Sequence, residues 1–306
     1  MAQTRISDIK TLTEAGVSAV FNRAAKAPIN RYYEPIVIKK PEIKEYGHYM
    51  TISDITDAQV LVEGTTINYD SIKEKDETQI QTLTHAKGVE ATYRALKFDL
   101  ENVVRTTFGQ RLINAMNSHK ERTVAAVYNG AFTDTGADGV AIISDSHPLS
   151  NSVLLNDNLV TGALSTDGIK AAKNRFNFIY DQAGNPFDTM PTHLLIHPAK
   201  HFAALELLGS QLLAWELSNT KNSLQDIAPI KVLVNKYLSY TVATDVSPWF
   251  MLDKNLDAGC VLQTNGGLEL NSWWENDTKN YRGTAIENYG CAFIAPGYGI
   301  VGSTGA

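Results

Sequence analysis

The residues that could do chemistry fall into a few small groups. Gly297, Gly299 and Gly302 have the GxGxxG spacing of a dinucleotide-binding turn. That turn works only between a strand and a helix, with an acidic residue further on to take the ribose. Four residues follow Gly302, so the expectation is a flexible glycine tail after a last strand. His197 and His201 are four apart, a spacing that can hold a metal on one helix face. Pro198 intervenes, no HExxH occurs and no third ligand is in view, so capping and surface roles are expected. Asp145, Ser146 and His147 carry the letters of a hydrolytic triad. A triad needs those groups to converge through hydrogen bonds, which chain neighbours rarely do. No GxSxG elbow occurs, and Asp-Ser before His-Pro reads as a turn.

Cys260 and Cys291 are the two cysteines, and neither has a CxxC partner. A thiolate zinc site is excluded and a disulfide framework is not expected; they read as half-buried thiols in a reducing compartment. Trp273 and Trp274 are adjacent in an apparent strand, so they point to opposite faces, which suits an interface. None of these groups is a catalytic constellation. The expectation is a protein that is not an enzyme and uses no cofactor or metal. The surviving catalytic alternative is a metal-dependent hydrolase using His147, His197 and His201.

The elements that would position these residues read as follows. Residues 100–131 contain no proline, and apolar residues recur at three-and-four spacing from Leu100 through Leu112 and Met116 to Val124 and Tyr128. Asp99 is the expected N-cap and Gly130 the expected C-cap. At about 1.5 Å per residue such a helix spans roughly 45 Å, more than one small core can cover, so it reads as a spine. Residues 1–34 read as an arm, with a short amphipathic helix near 13–25 carrying Val17 and Phe21. Residues 35–78 are polar and β-leaning, with turns at Gly47 and Gly64, and read as a long hairpin standing out from the body. Neither piece can satisfy itself in water, so both want a partner. Residues 79–98 read as a strand leading into the spine. A helix over 165–182 capped by Thr166, a strand at 193–196, a helix after Pro198, and strands at 230–238, 241–246 and 248–252 make a compact α+β region. Two long strands follow, with Pro296 ending the last.

The chain has 306 residues, is 43% hydrophobic and carries a formal net charge of −6. No segment has the clustered Lys and Arg that gripping nucleic acid requires. No apolar run approaches the roughly 20 residues that span a bilayer, and the opening MAQTRISDIK has no apolar core of a signal peptide. A soluble protein made in the cytoplasm, with no membrane partner, is expected.

The run VEGTTINYDSIKEKDETQIQTLTHAKGVEATYRALKFDLENVVRTTFGQRLINAM at 62–116 resembles the tailed-bacteriophage major capsid proteins with the Hong Kong 97 fold. It is similar to their acidic-glycine turn in an extended loop, a returning strand, an acidic step at Asp99 and a spine helix. YRGTAIENYGCAFIAPGYGIVGS resembles the family's closing strands, and HLLIHPAKHFAALELLG the strand–proline–helix unit of its axial domain. Within the family, the chain is most similar to Mu-like head proteins.

The resemblance implies an α+β fold: an N-terminal arm at 1–34, an extended loop at 35–78, a peripheral domain at 79–140 and 264–306, and an axial domain at 141–263. It implies a major capsid protein that self-assembles as pentamers and hexamers into the icosahedral head of a virion, built in the host cytoplasm. Intersubunit contact is expected from Val17, Phe21, Ile52, Ile55, Glu63, Tyr69 and Trp273. Some members carry a long N-terminal scaffolding segment. Here the arm begins at Met1, which implies a separate scaffolding protein; a portal is the other expected partner. An acidic chain would lie near packaged double-stranded DNA without gripping it. A nanocompartment shell of the encapsulin type shares the fold and is the structural alternative.

Overall fold

The computed structural model describes residues 31–72, 74–98, 103–149, 153–210, 224, 230–256, 259–295 and 297–306. The arm helix expected near 13–25, with Val17 and Phe21, lies outside these residues, as does Asp99. The strands are β1 (Ile38–Pro41), β2 (Tyr46–Ile52), β3 (Glu74–Gln81), β4 (Leu83–Ala91), β5 (His147–Pro148), β6 (Leu155–Asn156), β7 (His193–Ile196), β8 (Lys231–Val234), β9 (Trp249–Leu252), β10 (Cys260–Trp274), β11 (Tyr281–Phe293) and β12 (Ile300–Ser303). The helices are α1 (Tyr93–Lys97), α2 (Val103–Asn129), α3 (Thr166–Asn177) and α4 (His201–Gly209).

The spine α2 rests on two separate cores, as its length requires. Leu112 and Met116 pack with Ala285 under the first sheet, ordered β1-β10-β11-β4. Val124 and Tyr128 enter a larger core between that sheet and the second, ordered β12-β9-β7-β8. Leu195, Phe250 and Ile300 come to this core from the second sheet, and Leu262, Tyr289 and Phe293 from the first. Between the two packed stretches the helix turns Asn117, Lys120 and Glu121 inward, all buried. The other face of the second sheet lies under α3, where Ile169, Ala172 and Phe176 meet Leu194, Trp249 and Met251. Covered on both faces, β7, β9 and β12 read as short continuous apolar runs rather than alternating ones. Each fully buried Leu, Ile or Phe contributes about 1.5–3 kcal/mol.

Several expectations need correction. The tail after Pro296 is not flexible: β12 is wholly buried and pairs with β9 from Ile300↔Leu252 to Ser303↔Trp249. Its glycine is a packing requirement, since a Cβ on Gly302 would stand 2.8 Å from Phe250 Cδ1. Residues 36–41 do not belong to a projecting loop. Ile36 and Val37 are buried in the large core, Tyr128 donates its hydroxyl to Ile36 O at 2.6 Å, and β1 runs parallel to β10. Tyr93 is helical rather than extended: Thr92 Oγ1 accepts from Ala95 N and starts α1. Residues 241–246 form a turn closed by a single Thr241–Val246 bridge, not a strand. Ser165, not Thr166, caps α3, accepting from Gly168 N at 3.0 Å. Gly130 follows α2 without the left-handed backbone of a glycine cap; a Cβ there would stand 2.0 Å from the Asp134 carboxylate.

Candidate assembly interface

The root of the hairpin β2–β3 is tied down on two sides. On one side Gly290 of β11 lets β3 lie directly on the first sheet; a Cβ there would stand 2.1 Å from the Gln81 carbonyl. Thr78 Oγ1 also donates to Ile294 O at 3.4 Å. On the other side Lys75 Nζ donates to Pro148 O (2.9 Å) and Gln182 Oε1 (3.0 Å). Gln182 N donates to Asp54 Oδ2 at 2.9 Å, and Gln182 Nε2 to Tyr298 OH, also 2.9 Å. Gln182 is thus the clasp between both limbs of the hairpin and the residues that follow α3.

A buried polar cluster backs this root. Asn158 Nδ2 donates to Ile142 O and Ser144 N donates to Asn158 Oδ1, which fixes the amide orientation. That oxygen faces His147 Nε2 at 3.2 Å, while Nδ1 faces Asp138 Oδ2 at 2.6 Å. Both ring nitrogens thus face oxygen atoms. Burial works to raise the Asp138 carboxyl, but the hydrogen bond and charge of His147 outweigh it and hold it below its usual range. The partner of His147 is therefore Asp138, nine residues back, and not the adjacent Asp145 or Ser146.

Beyond the root the chain runs extended from 53 to 72 with no strand pairing. Thr56 binds Asp70 Oδ2 through both its amide (2.8 Å) and its hydroxyl (2.5 Å), which ties the two limbs together. At the tip Thr65 N donates to Val62 O, and Gly64 takes φ +87°, the third position of a type II turn with Glu63 before it. Large apolar side chains project from this frame into solvent. Val60 is 92% exposed, Tyr69 86%, Ile55 61% and Ile52 58%. Leaving such residues in water forgoes about 1–2 kcal/mol each.

A second patch lies on the face of the first sheet opposite α2. Gly88, Glu90, Trp273, Arg282 and Thr284 line a shallow groove of about 410 Å³. Arg282 is held by Glu90 (3.3 Å) and by a close contact to Glu275. Trp273 and Trp274 do point to opposite faces, and each is 42% exposed, so neither is core. Trp274 rests on Tyr281, with ring centroids 5.3 Å apart.

His197 and His201 keep separate partners. His197 Nδ1 accepts from Ala199 N at 3.2 Å and its ring stacks on Tyr240; His201 lies beside Phe202. Among the described residues no group of three or more His, Cys, Asp or Glu side chains is placed to hold a metal ion, and no helix is long and apolar enough to cross a membrane.

Comparison with solved structures finds the same fold over most of the chain. The capsid of a native GTA particle matches at 11% identity, covering 92% of each chain, with a TM-score of 0.61. The capsid of Ralstonia phage GP4 matches at 14% identity over 90% of this chain and 92% of its own, with a TM-score of 0.58. The cyanophage Pam1 capsid matches at 12% identity over 91% and 94%, with a TM-score of 0.57. Comparison with curated protein sequences gives no match. The family model described as phage capsid protein matches residues 75–293, well over half of the chain, so the chain belongs to that family and is a phage capsid protein.

Proposed function

We propose that copies of this chain form pentameric and hexameric rings that close into an icosahedral head around the phage genome, and that the loop tip at 53–72 is the part that reaches over a neighbouring copy. The observation that carries this reading is a rigidly rooted hairpin whose tip presents Ile55, Val60 and Tyr69 to solvent. A monomer gains nothing from such a tip; a neighbour's surface would bury it. Repeated around a closed symmetric shell, many modest contacts add up to cooperative stability.

In this reading residues 1–34 are the arm, with Val17 and Phe21 on a neighbour. The extended loop, 35–78, contributes Ile52, Ile55, Glu63 and Tyr69. Residues 79–140 and 264–306 form the peripheral domain, where Trp273 offers a further contact, and 141–263 form the axial domain at the centre of each ring. The burial of Ile36 and Val37, the pairing of β1 with β10, and the burial of 300–303 argue for assigning those short stretches to the body and to the second sheet. The chain works as a structural subunit without catalysis. A separate scaffolding protein and a portal complete assembly in the host cytoplasm, and the acidic subunit encloses DNA without gripping it.

Deleting the whole hairpin from 46 would expose the first sheet, because Gly47 lies against Gln263 and β3 against Gly290. The sharper test replaces 55–70 with a short Gly-Ser linker and keeps both strands. The variant is expected to fold and stay soluble, and to form no closed shells by electron microscopy. Normal shells from that variant would refute the role given to the tip.

A further inference from the structure

Cys260 and Cys291 are 31 residues apart in the chain, a spacing that says nothing about contact. The fold brings them together. In the antiparallel pair β10–β11, Cys260 stands opposite Phe293 and Cys291 opposite Leu262. The two cysteines are therefore diagonal neighbours on one face of the sheet. Their sulfurs are 3.1 Å apart. A disulfide holds its sulfurs at about 2.05 Å, so closing the bond asks for about 1 Å of movement.

The two thiols are not equivalent. Cys260 is buried and Cys291 partly accessible. Burial, and then the contact with Cys291, push the Cys260 thiol well up, while Lys254 nearby works the other way. Cys291 is thus the sulfur that a reagent in solution meets first, and Cys260 is the one waiting behind it. That is the arrangement of an attacking and a resolving cysteine.

We propose that Cys260 and Cys291 form a latent intramolecular disulfide, closed by a small-molecule disulfide such as oxidised glutathione once the protein leaves a reducing compartment. The Cys291 thiolate attacks one sulfur of oxidised glutathione, and one glutathione thiolate leaves. Cys260, losing its proton, then attacks the Cys291 sulfur of the mixed disulfide, and the second glutathione thiolate leaves. Two protein thiols are oxidised, one glutathione disulfide is reduced to two glutathione molecules, and the two protein protons end on the leaving thiolates. The bond would staple β10 to β11 at their buried end, where β1 pairs alongside (Ile38↔Val261) and where Gly290 carries the hairpin root on the next residue. Its effect is to stiffen the platform from which the loop projects. The chemistry depends only on the sheet pairing and stands whether or not the tip contacts a neighbour.

The test uses the full chain, purified in reductant, freed of it, and incubated with oxidised glutathione near neutral pH. Samples are denatured, alkylated and weighed intact without reduction. The expected product is a monomer lighter by two hydrogens, with no alkylatable thiol and one linked peptide pair containing Cys260 and Cys291. Cys260→Ser is expected to stop at the mixed disulfide, carrying one glutathionyl group on Cys291. Wild-type protein that keeps both thiols, that stops at a stable glutathione adduct, or that links between chains would overturn the proposal.

Discussion

Glu121 is a pH-sensitive group in the spine. It is 2% exposed. Burial pushes its carboxyl up to about 7; the backbone amides of Tyr32 and Tyr33 offset only part of that, and the charge of Glu34 adds to it. The sign follows. The folded chain holds this proton more tightly than the unfolded chain, whose glutamate titrates near 4.3. Stability from this group is full below that value, falls as pH rises between the two values, and is flat above about 7. At 1.36 kcal/mol per pKa unit the loss by pH 8 approaches about 3.7 kcal/mol, and about 1–3 kcal/mol is expected once local relaxation is allowed for. Glu121→Gln keeps the shape and removes the charge. The variant should match the wild type at pH 4 and exceed it by about 1–3 kcal/mol at pH 8 in urea unfolding of the dispersed subunit. Equal stability of the two proteins at both pH values would refute the assignment, as would a variant that is weaker at pH 8.

Lys120 and Glu287 make a buried ion pair, with side chains 7% and 9% exposed, and Lys120 Nζ lies 5.0 Å from the Tyr289 ring centroid. Glu287→Gln should cost about 3 kcal/mol, because a buried ammonium is left uncompensated. Lys120→Met with Glu287→Gln should recover most of it; equal losses in the single and double variants by denaturant unfolding would contradict the pairing. Gly290→Ala should cost about 2–3 kcal/mol by pushing β3 off the sheet. It should also speed proteolysis within 53–72, and unchanged cleavage would show that Gly290 does not seat the hairpin.

What the sequence revealed depended on how local the cause was. A long proline-free amphipathic run announces a helix, and α2 is found at Val103–Asn129; HLLI, bounded by polar residues and a proline, is found as β7. Parallel pairing of β1 with β10 joins residues more than 200 apart, from Ile38↔Val261 onward, and leaves no periodic trace near 38. Three glycines in a short stretch resemble a loose tail, yet Gly302 is small because Phe250 fills the space above it. The pairing of His147 with Asp138 was hidden because the closer Asp145 offered the same letter. The projecting hairpin was legible as a polar, β-leaning stretch with too few large apolar residues to bury itself. Its clasp was not, since Gln182 lies 128 residues from Asp54 and carries no signal of its own.

Cryo-electron microscopy of particles assembled from the full chain would show whether the loop tip of one copy is covered by another. Rings of five and six copies in a closed shell are expected, with Ile55, Val60 and Tyr69 buried against a neighbouring chain. Closed shells in which residues 53–72 stand free in solvent would contradict that expectation.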